Sequence, residues 1–236
     1  MVVLAEQDSG SAARILAAAR ELVLKRGVKG LTVAEIADRA HVAKGTIYLH
    51  WDTREDLLVG LFGRDFLAAL DAMTERLLAD PDAARPSRLL PALVQSTVEH
   101  PFIRALQSED ADMLGALLQH PRSAGLLENL GPAALVRVTL PVWRRHHLVR
   151  TDWTFEDQAY ALQALLLGFL TTAAGSRILP AISIDDPGGV VAAATTALLG
   201  PEEPGPGDVQ ATTDTALAEV RAKRQALLDS LGKPPR

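Results

Sequence analysis

Fourteen prolines and seventeen glycines cut this 236-residue chain into segments of helical length. Inside nearly every segment the apolar residues recur at intervals of three and four rather than two, the spacing that gathers them on one stripe of a helix. Aromatic residues make up only 4% while alanine and leucine dominate, so strand formers are scarce. The expected class is all-α. With 48% hydrophobic and 22% charged residues, the chain is too apolar to stay disordered and long enough to bury a sizeable core.

Cysteine is absent, which excludes disulfides, thiolate metal sites and cysteine nucleophiles. The first ten residues, MVVLAEQDSG, lack a basic region followed by a long apolar core, and no run reaches eighteen apolar residues. A cytoplasmic protein with no membrane partner is expected. No P-loop, dinucleotide fingerprint, nucleophile elbow or HExxH pattern appears, so neither a cofactor nor an enzymatic activity is expected.

The punctuation sets the organisation. Behind a flexible stretch, 1–10, residues 11–26 place Ile15, Ala18, Ala19, Leu22 and Val23 on one stripe, with Ser11 as expected N-cap and Gly27 as stop. Thr32-Val-Ala-Glu35 reads as a capping box, in which hydroxyl and carboxylate each satisfy an orphan backbone N–H. The short helix it opens runs to about Ala40. After a His41-Val42 turn, a second short helix spans Lys44 to about His50. Asp52-Thr-Arg-Glu55 offers another cap, opening a long amphipathic helix through Leu57, Leu61, Phe66, Met73 and Leu77 that ends near Asp80-Pro81.

Pro86, Pro91, Pro101, Pro121, Pro132, Pro141 and Pro180 then mark boundaries or kinks among further helices. The longest clean one spans about Phe155 to Ile178, and a short one covers Val190 to Leu199. The expected domains are a headpiece at 11–55, a helical body at 56–199, a Pro/Gly-rich linker at 200–212 and a docking helix at 213–231.

Two short helices joined by a tight turn form a helix-turn-helix, whose second member can lie in the major groove of double-stranded DNA. The chemistry of residues 44–50 suits that role. Lys44 adds its charge to a helix N-terminus, Gly45 lets backbone approach closely, and Thr46 offers a hydroxyl. Tyr48 and His50 follow at helical spacing, while Ile47 and Trp51 point inward.

Gly30-Leu-Thr-Val-Ala-Glu-Ile-Ala-Asp-Arg-Ala40, with Val42-Ala-Lys-Gly-Thr-Ile-Tyr-Leu-His-Trp51 and Arg54-Glu-Asp-Leu-Leu58, resembles the N-terminal signature of the TetR family of transcriptional regulators. The resemblance covers about the first 60 residues. It implies a homodimeric, all-α repressor with a DNA-binding headpiece and a C-terminal domain that binds a small-molecule effector. Carried onto this chain, it implies that Thr32 caps and touches phosphate, that Lys44, Gly45, Thr46, Tyr48 and His50 form the reading surface, and that Arg54 holds another phosphate. Two departures stand out: Ala43 occupies a position where the family often has a Ser or Thr cap, and Trp51 replaces a commoner Phe.

For the effector pocket, the candidates are His100, Phe102, Leu106, Gln107, Met113, Leu117, Trp143, Gln163 and Phe169, apolar groups with a few polar anchors. The same residue types at helical spacing also serve as plain core. For the dimer interface the candidates are Leu162, Leu166, Leu170 and Ala173, on a helix apolar on more than one face. His146-His147 beside Arg144 and Arg145 reads as solvated surface. Adjacent histidines on a helix diverge by about 100°, and no metal site is expected.

Rival readings are an all-helical ligand-binding or interaction protein with a vestigial helix-turn-helix and, more distantly, an enzyme built in the helical cavity. Charge sharpens the choice. The whole chain carries a net charge of -5, yet residues 11–55 hold eight Lys or Arg against five Asp or Glu. Only the headpiece is basic, which fits a protein that touches DNA at one end.

Overall fold

A computed structural model describes residues 4, 9–107, 110–115, 117, 120–174 and 184–232. Every regular element among them is helical, as the spacing predicts. The first, α1, is Gly10–Arg26, and its N-cap is Ser9 rather than the expected Ser11. Ser9 has extended backbone and accepts from the Ala12 N–H, whereas Ser11 already lies inside the first turn. Gly27 ends α1 at a φ of 74°, a region that favours glycine.

The capping box forms as read. α2 (Val33–Ala40) starts at Thr32, which accepts from the Glu35 N–H while Glu35 accepts from the Thr32 N–H at 2.8 Å. His41 closes α2 in the left-handed region. α3 is Lys44–Tyr48, so the expected extension to His50 is a turn, and Ala43 supplies no side-chain cap. α4 (Arg54–Ala79) is capped by Thr53 and Asp56, one residue later than the Asp52–Glu55 pair. Thr53 has the extended backbone that a cap needs. Its hydroxyl accepts from the Asp56 N–H and donates to the Asp56 carboxylate.

After a 3-10 turn at Pro81–Ala84 come α5 (Pro86–Glu99), α6 (Pro101–Gln107), α7 (Ala111–Leu114), α8 (Pro121–Leu130) and α9 (Pro132–Arg145). Four of these open on proline, whose missing N–H has no partner at that position anyway. Pro91 and Pro141 lie inside helices instead of bounding them. α10 is Phe155–Ala173, and the rest of its expected span, like Pro180, lies outside the described residues. α11 begins at Pro187, before Val190, because the Asp186 carboxylate accepts from the Gly189 N–H at 2.8 Å. α12 is Asp208–Gly232, which shortens the expected 200–212 linker. Its added first turn is held by Asp208, which accepts from the Gly205 N–H, and leads into buried Thr212 and Thr213.

Besides a small cluster of Leu77, Ala83, Ala84 and Leu217, two apolar cores organise these helices among the described residues. One contains α1, α2 and the buried side of α3, and continues without a break into the first half of α4, α6 and α7. Phe62 of α4 meets Phe102 of α6 there, ring centroids 4.9 Å apart, each ring worth about 2–3 kcal/mol of burial. The headpiece core therefore does not stop at residue 55. Leu4 and Leu227 belong to it as well. The second core joins α5, α9, α10 and α11 around Trp143, whose indole N–H donates to the Ala84 carbonyl at 2.9 Å.

α12 lies along α4 and also meets the 3-10 turn and α9. Arg224 pairs with Asp71 of α4 at 2.5 Å, and Leu231 packs so tightly on Gly63 that a Cβ there would fall 2.7 Å from it. His147 is exposed, as expected, but His146 is not plain solvated surface. Each Nδ1 lies 3.4 Å from an oxygen of Asp208, so they flank the start of α12, and His146 is largely covered. The Gly205 N–H, followed by the two imidazoles, holds the Asp208 carboxyl below the usual carboxylate range.

Candidate nucleic-acid interface and ligand cavity

Ile47, fully buried, and Trp51 anchor α3 to the headpiece core from one side. Lys44, Gly45, Tyr48 and Leu49 lie on the other, exposed. Positions i, i+1, i+4 and i+5 share one face at 3.6 residues per turn, so these four make a continuous outward surface. Leu49 is 80% exposed and escaped the sequence reading, which weighed polar groups only. An apolar side chain held open beside Tyr48 was the available signal. No Cβ added at Gly45 would meet another atom, which leaves that backbone open to close approach.

The remaining sequence candidates divide. Thr32 is exposed at the start of α2, its hydroxyl engaged in the capping box. Thr46 is half-buried beside Ile47. His50 turns back to α1, with Nε2 3.2 Å from the Ser11 hydroxyl and 3.4 Å from that of Ser9. Arg54 donates to the Leu31 carbonyl at 2.7 Å and pairs with Glu55 at 2.7 Å. Its guanidinium thus joins the start of α4 to the turn before α2.

Elsewhere in the headpiece, Arg26 pairs with Glu35 at 2.6 Å and Arg39 with Glu21 at 2.5 Å. These pairs brace α2 against α1. The Arg26 guanidinium, with the Thr32 N–H and hydroxyl, holds the Glu35 carboxyl at about 2 instead of 4.5. Lys44 takes part in no ion pair among the described residues, so its charge is available to a partner.

A cavity of about 160 Å³ lies in the body between α4, α5, α6, α9, α10 and α12. Its wall is mainly Leu, Ile, Val, Met and Phe side chains. Of the nine sequence candidates only Gln107 lines it. Phe102 and Leu106 point instead into the headpiece-side core, with Leu117 and Met113 beside them. Trp143 and Phe169 belong to the second core, Gln163 is exposed, and His100 is the C-cap of α5.

Interface candidates Leu166 and Leu170 also line the cavity. With fully buried Leu162, and Ala173 packed on the same core, they face inward. The outward face of α10 carries Tyr160, Ala164, Leu167 and Gly168, and that of α11 carries Val190, Ala193 and Ala197. A helix apolar all round gives a weak periodic signal, so spacing alone did not separate the two faces.

Among the described residues no group of three or more His, Cys, Asp or Glu could hold a metal, and no helix is long and apolar enough to cross a membrane.

A capped α2, a left-handed turn at His41 and an α3 buried on one side only define a helix-turn-helix protein with an all-α body. Residues 15–61 match the family model described as "Bacterial regulatory proteins, tetR family". The N-terminal domain is thus similar to that of the TetR family of transcriptional regulators. The HTH-type transcriptional repressor KstR of Mycobacterium tuberculosis is 39% identical over 82 residues, which cover 32% of this chain and 37% of that protein. The chain thus matches under two fifths of that relative's length. Two solved structures share the fold. The fatty acid degradation regulator of Bacillus halodurans has a TM-score of 0.55 at 18% identity over 84% of this chain and 98% of its own. Reduced Escherichia coli NemR has 0.54 at 24% identity over 81% and 99%.

Proposed function

We propose that this protein is a dimeric, effector-responsive repressor that binds a palindromic operator through α3 and is released by a small, largely apolar molecule. The observation that carries the reading is the open face of Lys44, Gly45, Tyr48 and Leu49 on a helix pinned from behind by Ile47. Lys44 and Tyr48 engage phosphate oxygens, while Gly45 and Leu49 come close to the groove. Exposed Thr32 and half-buried Thr46 add contacts to the DNA backbone from the same headpiece. His50 and Arg54 act mainly by fixing the headpiece, given their bonds to α1 and to Leu31.

Dimerisation is assigned to the exposed face of α10 and α11 around Leu167, Gly168 and Val190, where small side chains allow close helix packing. Two recognition helices then sit about 35 Å apart, one turn of DNA. The effector occupies the cavity, whose size supports an aromatic ring or short aliphatic group, since an engineered apolar cavity of about 150 Å³ holds benzene. An effector that binds one dimer geometry better than the other shifts the headpieces off the operator.

A gel-shift titration on DNA flanking the gene, against an unrelated fragment of equal length, tests the reading. Selective retention at two protomers per site, lost in Tyr48→Ala, supports it. Equal weak binding to both fragments favours a protein with a vestigial helix-turn-helix.

A further inference from the structure

We infer that the C-terminal helix supplies the polar anchor of the effector, and that the effector is an apolar molecule bearing an anionic group received by Lys223. This rests on the effector-cavity reading above and names the ligand class of that site. Ala216, Glu219, Val220 and Lys223 of α12 form one wall of the cavity. Most polar groups elsewhere in the wall are committed. The hydroxyls of Thr97 and Thr139 donate to the carbonyls of Leu93 and Leu135 in their own helices, and the Asn129 amide donates to the Gly125 carbonyl. Ser96 and Gln107 have side chains with no partner among the described residues, and both are neutral.

Lys223 is the one cation in the described lining. Its ammonium donates to the Asn129 carbonyl at 2.8 Å, which draws it across to the rim where α8 ends. An ammonium has three donors, so two remain beyond that bond. The half-buried stem lies along the apolar wall with its charge at the mouth, the arrangement in which a long basic side chain keeps its head in water while its methylenes are covered. α9 begins at the same rim from Gly131, a cap without a side-chain acceptor, and its dipole adds the same sign. Against these stands Glu219, one turn away on α12. It is exposed, so solvent screens its repulsion of an anion.

The placement gives α12 a purpose. Four residues beyond Glu219 the helix reaches Lys223, and the next residue, Arg224, is bonded to Asp71 of α4. Farther on, Leu227 enters the headpiece-side core and Leu231 covers Gly63. An anion held by Lys223 therefore pulls on a helix seated against α4 below the headpiece.

Calorimetric titration of the full-length protein with para-ethylbenzoate, para-ethylbenzyl alcohol and para-ethylbenzylamine tests the assignment. Wild type should bind the carboxylate about tenfold more tightly than the alcohol, as expected for one charged hydrogen bond. Lys223→Met should remove that preference while keeping the alcohol's affinity, which also reports an intact cavity, and Lys223→Arg should restore it. Equal binding of carboxylate and alcohol, or a preference that survives Lys223→Met, overturns the anchor alone. Preference for the amine assigns the anchor to Glu219 and overturns it too. Binding of none of the three at millimolar concentration overturns the cavity reading, and the anchor with it.

Discussion

Arg20 of α1 places Nη1 2.7 Å from Oδ1 of Asp65 on α4, and the other carboxylate oxygen of Asp65 accepts from the Phe102 N–H of α6 at 3.1 Å. The Arg20 guanidinium also lies over the Phe102 ring, 5.1 Å from its centroid. One carboxylate, only 4% exposed, thus holds headpiece, connecting helix and body together. A rotation of α4 or α6 that serves an effector response has to carry α1 with it.

Asp65→Ala removes both bonds and leaves the Phe102 N–H buried and unpaired, at a cost of about 2–3 kcal/mol. Arg20 is 40% exposed, so its share of the pair is screened. Asp65→Asn keeps an acceptor for the N–H and should cost less. Urea denaturation ranks the three proteins, and Asp65→Ala as stable as wild type would show that the junction is not coupled.

Gly27 makes a second junction. Its φ of 74° favours glycine, and a Cβ there would lie 2.1 Å from the Asp112 carbonyl oxygen, while the neighbouring Val28 N–H donates to the Met113 carbonyl at 2.9 Å. Gly27→Ala should cost more than about 2 kcal/mol, through strain and loss of that contact. Gly30 has the same sign of φ, at 73°, with nothing within 4 Å, so Gly30→Ala should cost only about 1 kcal/mol. Thermal melting compares the two, and equal costs would mean that the segment at 110–115 does not bear on the headpiece.

The Glu35 carboxyl, at about 2 when folded and 4.5 otherwise, stabilises the charged form in the folded state. Because the folded value is the lower one, the contribution is complete above pH 4.5 and is lost as pH falls toward 2. Glu35→Gln should therefore flatten the dependence of thermal midpoint on pH across that window. Parallel curves for both proteins would remove the α1–α2 brace from the account.

Leu167 and Leu166 are neighbours with opposite fates, 46% and 2% exposed. Leu167→Asp should dissociate the dimer in sedimentation with little change in monomer stability. Leu166→Ala should instead destabilise the fold by about 2–5 kcal/mol through a cavity in the core. A Leu167→Asp protein that still sediments as a dimer would place the interface elsewhere.

These pairs show what the sequence carried and where it stopped. The helix-turn-helix was legible because caps and turn residues act within four positions: Thr32 and Glu35 formed their box, Ala43 left α3 uncapped, and Ile47 and Trp51 went inward. Ser9 and Thr53 displaced their neighbours as caps by small differences in backbone that spacing does not encode. The cavity was not legible, since which of Phe102, Ile103 and Gln107 faces it depends on how α6 rolls against α4. Nor did the apolar stripe of α12, readable as a docking face, reveal that Glu219 and Lys223 beside it would line a cavity.

The central claim is that α3 meets DNA through its open face, and the salt dependence of operator binding measures it most directly. Fluorescence anisotropy across a range of salt concentrations should give Lys44→Ala weaker binding to every sequence and a slope of log affinity on log salt shallower by about one unit. Affinity and slope unchanged from wild type would contradict the assignment of α3 as the helix that enters the groove.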